Sequence, residues 1–248
     1  MTELLELLSQ PFMQRAIFAG ILVAVLCSII GVFIVLRKES FIADALAHGS
    51  LSGIAFALLI SSGPFFFALI VGVIMAVLIT FLKRRLTVSS DAIIGIIYTF
   101  LFALGIILLS LSPTYRPELS TYLFGSILSI NIYDGIYAFI TLVFVVIAFQ
   151  FIYEKILYIT FDPESAFLRG IKVARYDYFL TILTSIVVIV SVKIVGVVLV
   201  SALLVMPGVG AKLLARKFSH MIPIEISFSL IATVIGFIVS GRLYNPMG

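Results

Sequence analysis

The chain has 248 residues, of which 62% are hydrophobic and 11% charged, against roughly 25% charged in an ordinary soluble domain. That composition excludes a soluble globular protein, and continuous apolar runs of about 20 residues exclude an outer-membrane barrel, whose strands alternate. The net charge of +4 is modest, and its basic residues flank apolar spans in short clusters, as topology signals do and a nucleic-acid surface does not.

In chain order, Met1 to Gln10 carries Glu3 and Glu6 where a cleavable signal peptide would have a basic start, so the first span is expected to direct insertion itself. Spans are predicted at Ala16 to Leu36, Phe41 to Ile60, Pro64 to Leu82, Ala92 to Leu111, Gly135 to Tyr153, Tyr178 to Val192, Ile194 to Leu214 and Met221 to Ser240. The single cysteine, Cys27, lies in the first of them and reads as a packed core thiol. Little more than Lys193 separates the sixth and seventh spans. No linker, charge block or internal repeat divides the chain. Residues 1–248 therefore read as a single all-α domain, a polytopic transmembrane helical bundle of about eight spans.

Orientation follows from where Lys and Arg fall. Arg37 and Lys38, then Lys83, Arg84 and Arg85, then Lys155, Arg169, Lys172 and Arg175, then Lys212, Arg216 and Lys217 belong to one side; Arg15, Arg116, Lys193 and Arg242 are left for the other. The richer side is the cytoplasm, and the N-terminus faces outward.

Two connections are more than turns. After the fifth span, Asp162 reads as an N-cap, Pro163 as the first helical residue, Glu164 as a first-turn acid and Gly170 as a stop, within a cytoplasmic region of about 154–177. The short helix presents Phe161, Ala166, Phe167 and Leu168 either to lipid headgroups or to a cytoplasmic partner. On the outer side, Pro113 and Pro117 end the fourth span, and Glu118 to Ile130 is too short to cross, so it reads as a half-helix.

Enzyme chemistry is poorly represented. There is no phosphate-binding G-x-x-x-x-G-K-[ST] loop, no H-E-x-x-H and no G-x-S-x-G, and the histidines are His48 and His220 alone. Any ATP-driven step needs a partner.

The second span is different. Asp44 and His48 sit four residues apart on one helix face, in a segment where an ionisable side chain is costly and is usually kept for a substrate, ion or proton. A carboxylate beside an imidazole suits a divalent transition metal. If the helix enters near Arg37, His48 lies 11 residues in, about 16 Å deep and close to the midplane. Ala45, Gly49 and Gly53 form a small-residue stripe that would let a second helix, including that of a two-fold partner, come close. From the residues alone, a metal way-station, a proton relay in a secondary transporter, and interhelical hydrogen bonding in a structural subunit all stay open. Glu225 and Asp91 read as helix-start acids, Lys193 as a snorkelling side chain, His220 as interfacial, and Met206-Pro207-Gly208 as a break or kink in the seventh span.

Several stretches, in order, resemble the integral-membrane permease subunits of ATP-binding-cassette importers for zinc, manganese or iron. They are Gly31-Val32-Phe33-Ile34-Val35-Leu36-Arg37, Ala43-Asp44-Ala45-Leu46-Ala47-His48-Gly49, Asp91-Ala92-Ile93-Ile94-Gly95-Ile96, Tyr122-Leu123-Phe124-Gly125, Phe161-Asp162-Pro163-Glu164, Val195-Gly196-Val197-Val198 and Ala202-Leu203-Leu204-Val205-Met206-Pro207. The resemblance implies a homodimeric permease in a prokaryotic cell membrane, bound to two cytoplasmic ATPase subunits and supplied by an external metal-binding protein. It implies that Asp44 and His48 line the path of the transported metal, and that Phe161 to Gly170 is a coupling helix seated on the ATPase. No resident cofactor is implied; ATP is bound only through the partner.

Overall fold

The computed structural model describes residues 10–111, 125 and 130–243. Among them the chain is built of α-helices in this order: α1 Pro11–Leu36, α2 Phe41–Gly49, α3 Leu51–Leu59, α4 Pro64–Arg85, α5 Ser90–Ser110, α6 Ile132–Phe161, α7 Pro163–Leu168, α8 Val173–Val195, α9 Val197–Leu214 and α10 Phe218–Leu243. Eight segments are long and apolar enough to cross a bilayer, with α2 and α3 together forming the second. The predicted half-helix from Glu118 to Ile130 lies outside the described residues, apart from Gly125 and Ile130.

Burial sorts the helices into an inner and an outer set. α1, α2, α3 and α8 are mostly buried, whereas α5, α6 and α10 turn long rows of Phe, Ile and Val outward. In lipid such rows face acyl chains, so apolar residues all around these helices are the expected pattern. The centre is filled by Leu26, Ile30 and Phe33 of α1, Leu46 of α2, Met75 and Ile79 of α4, and Leu183 and Val187 of α8. Cys27 is fully buried, with Sγ 3.7 Å from Ser191 Oγ.

Three local features shape the site. α1 ends with Lys38 in the left-handed region (φ 57°), its N–H donating to Val35 O at 3.3 Å while Glu39 N–H donates to Ile34 O at 3.0 Å. This is a Schellman stop made with lysine where glycine is usual. Consequently α2 starts at Phe41, where the second span was predicted to begin, and Arg37 to Ser40 form the turn before it.

The second span also breaks at Ser50, between α2 and α3. Ser50 Oγ donates to Ala47 O (2.7 Å) and Ser52 Oγ to Gly49 O (2.8 Å), so both hydroxyls feed carbonyls in the last turn of α2, just before the bend.

Finally, the sixth and seventh spans are joined by Gly196 alone, at φ 88° and ψ 161°. Only glycine holds that conformation cheaply. Gly125 lies against this joint: a Cβ there would sit 2.5 Å from Val195 O.

One end of the bundle is tied by charge. Asp177 at the start of α8 pairs with Arg37 after α1 and with Arg84 near the end of α4 (2.9 Å), and Glu39 pairs with Lys83 (2.5 Å). These contacts place Arg37, Lys83 and Arg84 at one end of the bundle, as the count of basic residues requires. At the far end of α8, Lys193 is not a lone snorkelling side chain. Its Nζ is 2.7 Å from Asp134 Oδ1 and lies over the rings of Phe65 (4.7 Å) and Tyr137 (5.1 Å).

Candidate metal centre

Asp44 and His48 sit one turn apart on α2, as the spacing predicts. Counted from the start of α2 at Phe41, His48 is seven residues in, about 10 Å along the helix. His48 Nδ1 is 3.0 Å from the main-chain oxygen of Asp44 and 3.3 Å from its Oδ1. A proton on Nδ1 satisfies both oxygens and leaves the Nε2 lone pair for a ligand.

Three further contacts complete the arrangement. Ser201 Oγ on α9 donates to Asp44 Oδ1 at 3.1 Å. Tyr98 and Phe102, one turn apart on α5, meet the imidazole edge-on at 5.7 and 5.9 Å. Sequence reasoning missed all three. Ser201 is 157 residues from Asp44 and carries no local signal, but the four-residue spacing of Tyr98 and Phe102 could have marked an aromatic wall.

The arrangement can hold a cation but does not enclose it. Asp44 is 45% exposed and His48 22% exposed at the side chain. Among the described residues no group of three or more His, Cys, Asp or Glu side chains could hold a metal ion. One chain thus offers one carboxylate, one imidazole and one hydroxyl, fewer ligands than a closed site uses.

The small-residue stripe is used differently from the expectation. A Cβ on Gly49 would run into Met75, and one on Gly53 would lie 2.5 Å from Phe67 O and 3.0 Å from Ala68 Cα. Both belong to α4 of the same chain, so the stripe seats α3 and the end of α2 inside the bundle and offers no face to a second copy.

The predicted cytoplasmic helix is present as α7. Asp162 caps it by accepting from Ser165 N–H at 2.9 Å, Pro163 is its first residue and Glu164 stands in its first turn. Gly170 (φ 78°) ends it: its N–H donates to Phe167 O (2.9 Å) and Ile171 N–H to Ala166 O (3.0 Å). Ala166 is buried, Phe167 is 71% and Leu168 83% exposed, and Phe161 is exposed while its edge meets Phe218 of α10. Hydrogen bonds from Ser165, its hydroxyl first and then its backbone N–H, hold the exposed Asp162 carboxyl below the ordinary range.

The other sequence candidates fall differently. Asp91 is a first-turn acid of α5, behind the Ser89 cap. His220 is exposed near the start of α10. α9 continues through Pro207 with no break in the helix. Glu225 is not at a helix start: α10 begins at Phe218, and Glu225 is fully buried, with neither carboxylate oxygen hydrogen-bonded among the described residues.

Eight apolar spans among the described residues, with a half-exposed carboxylate–imidazole pair inside one of them, define a multi-pass helical membrane protein. The chain belongs to the ABC 3 transport family, whose model matches residues 9–248. Its relatives include named membrane and permease proteins of metal transport systems. It is 36% identical over 240 residues to the manganese transport system membrane protein MntC of Halalkalibacterium halodurans, covering 95% of this chain and 80% of that one. It is 30% identical over 225 residues to the high-affinity zinc uptake system membrane protein ZnuB of Haemophilus influenzae (91% and 86%). The chelated iron transport system membrane protein YfeD of Yersinia pestis is 32% identical over 252 residues (100% and 84%). Among solved structures, PsaBC from Streptococcus pneumoniae in complex with Fab matches with a TM-score of 0.84 and 29% identity, covering 98% of this chain and 88% of that one.

Proposed function

We propose that this chain is the permease subunit of an importer that carries manganese, zinc or iron into a prokaryotic cell, and that Asp44 and His48 hold the ion in transit. The observation that carries this reading is the triad of Asp44, His48 and Ser201 on helices that cross the bilayer. Named manganese, zinc and iron transport proteins among the relatives support the substrate class.

The pair needs a cover. A carboxylate 45% exposed on a spanning helix does not face lipid, because an uncompensated charge there costs several kcal/mol or more. Phe41 and Val198, three residues from Asp44 and Ser201 on their respective helices, are likewise exposed. A second copy packed on this side would cover both and bring a second carboxylate and imidazole, raising the ligand set to four. Two carboxylates and two neutral imidazoles also balance a divalent charge. The hold must stay modest, since an ion bound too tightly would not leave.

Energy comes from outside the chain, because it has no phosphate-binding loop of its own. A cytoplasmic ATPase, two copies for two permeases, would seat on α7, with Phe161, Ala166, Phe167, Leu168 and Gly170 forming the tip and Asp162, Pro163 and Glu164 its capped start. An external binding protein would deliver the ion. Asp177 follows α7 closely and grips Arg37 beside the α1–α2 turn, so tilting of α7 would reach α2 through a charged contact.

The test is uptake of radioactive manganese or zinc by cells expressing the complete transporter. Asp44→Ala and His48→Ala should each abolish uptake while the complex with the ATPase still purifies; wild-type uptake in both variants would refute the site.

A further inference from the structure

We propose that Glu225 is a proton-binding site at the junction of α1, α9 and α10, carrying a proton in the conformation seen here. Glu225, Ser229 and Thr233 recur every four residues on one face of α10, and this face packs on α1. Ser229 Oγ meets Ser28 Oγ of α1 at 2.8 Å, and Thr233 packs beside Gly20. The seam is a polar track through an otherwise apolar contact.

Glu225 sits at its cytoplasmic end, fully buried, with both carboxylate oxygens lacking a hydrogen-bond partner among the described residues. Its pocket is made by missing side chains. A Cβ on Gly31 of α1 would collide with Oε1 and with the carbonyl of Leu204, and one on Gly208 of α9 would stand 3.2 Å from each carboxylate oxygen. The space is shaped for a carboxyl group, not left over from poor packing.

An ionised carboxylate taken out of water without a cation loses several kcal/mol. The charged and titratable groups with described side chains on the surrounding helices, besides Glu225 itself, are Arg15 and Cys27 of α1, Lys212 of α9 and His220 of α10; none forms an ion pair or hydrogen bond with Glu225. A proton taken from water removes the charge by forming one O–H bond, and turns an acceptor-only group into a donor. The Leu204 carbonyl, which borders the same Gly31 pocket, is a ready acceptor.

The proton can leave only if water reaches the carboxyl, which requires α9 to withdraw from α1. α9 is also the helix whose Ser201 holds Asp44, seven residues or about 10 Å before Gly208. The packed conformation is therefore the proton-bound one, and opening of the α1–α9 contact would accompany release of the proton. This inference does not depend on Asp44 and His48 being metal ligands.

Infrared spectroscopy of the complete permease–ATPase complex at neutral pH tests it. The wild-type spectrum should contain the carbonyl-stretch band of a protonated, weakly hydrogen-bonded carboxylic acid, shifted in deuterium oxide and lost in Glu225→Gln. Should the Gln variant fail to assemble, carbon-13 labelling of glutamate assigns the band in the unaltered chain by shifting it. A wild-type spectrum without the band, or a band that survives the substitution or ignores the label, overturns the proposal.

Discussion

Ser201 Oγ donates to Asp44 Oδ1 across 3.1 Å although 157 residues separate the two in the chain. The bond orients the carboxylate beside His48 and ties α2 to α9. A hydrogen bond to a charged group contributes about 1.5–3 kcal/mol, so Ser201→Ala should weaken ion binding roughly tenfold or more without abolishing it. Isothermal titration of manganese into the purified complex reads this directly, and Ser201→Thr, which keeps the hydroxyl, should recover much of the loss.

Lys193 and Asp134 form a clamp at the opposite end of the bundle from Asp177. Asp134 is only 7% exposed, and its Oδ2 also accepts from Asn131 N–H at 2.9 Å in the α6 capping box. Removing the lysine leaves a buried carboxylate unpaired. Lys193→Met should therefore destabilise the protein by about 3 kcal/mol, and adding Asp134→Asn should restore a large part of it. Thermal unfolding of the detergent-solubilised complex measures both; equal stability of Lys193→Met and wild type would show that the pair contributes little.

The exposed tip of α7 yields a docking prediction. Phe167→Asp with Leu168→Asp should weaken association with the ATPase at least tenfold, since exposed apolar anchors dominate small interfaces. Co-purification from membranes reads the loss, and an unchanged yield of complex would count against docking there.

Asp162 supports that tip by capping. Its carboxyl is held below the ordinary range, so the cap is complete at neutral pH and is lost only as pH falls through that depressed value. Coupling should therefore show no step from Asp162 between about pH 6 and 8. Asp162→Asn, which also caps, should couple nearly as wild type, whereas Asp162→Ala should couple less well. ATPase stimulation by the delivered ion is the measurement.

Much of this was legible from the chain because its causes are local. Spans follow from apolar runs of membrane length, and α7 follows from Asp162, Pro163 and Gly170, each acting on its own turn. What was missed depends on distant packing. The left-handed Lys38 turn between α1 and α2, and the break at Ser50 that splits the second span, carry no local signal in the apolar run. Gly49 and Gly53 read as a stripe open to any helix, and only the fold shows α4 in it. Glu225 looked like a helix-start acid two residues after Pro223, because nothing nearby reveals that α10 already begins at Phe218. Ser201 has no signature until α9 is laid against α2.

The most direct test of the central claim is pulsed electron paramagnetic resonance of manganese(II) bound to the complete, purified complex. The account predicts coupling to an imidazole nitrogen that disappears in His48→Gln while the complex stays assembled. Bound manganese with no nitrogen coupling, or with coupling unchanged in the variant, would contradict it.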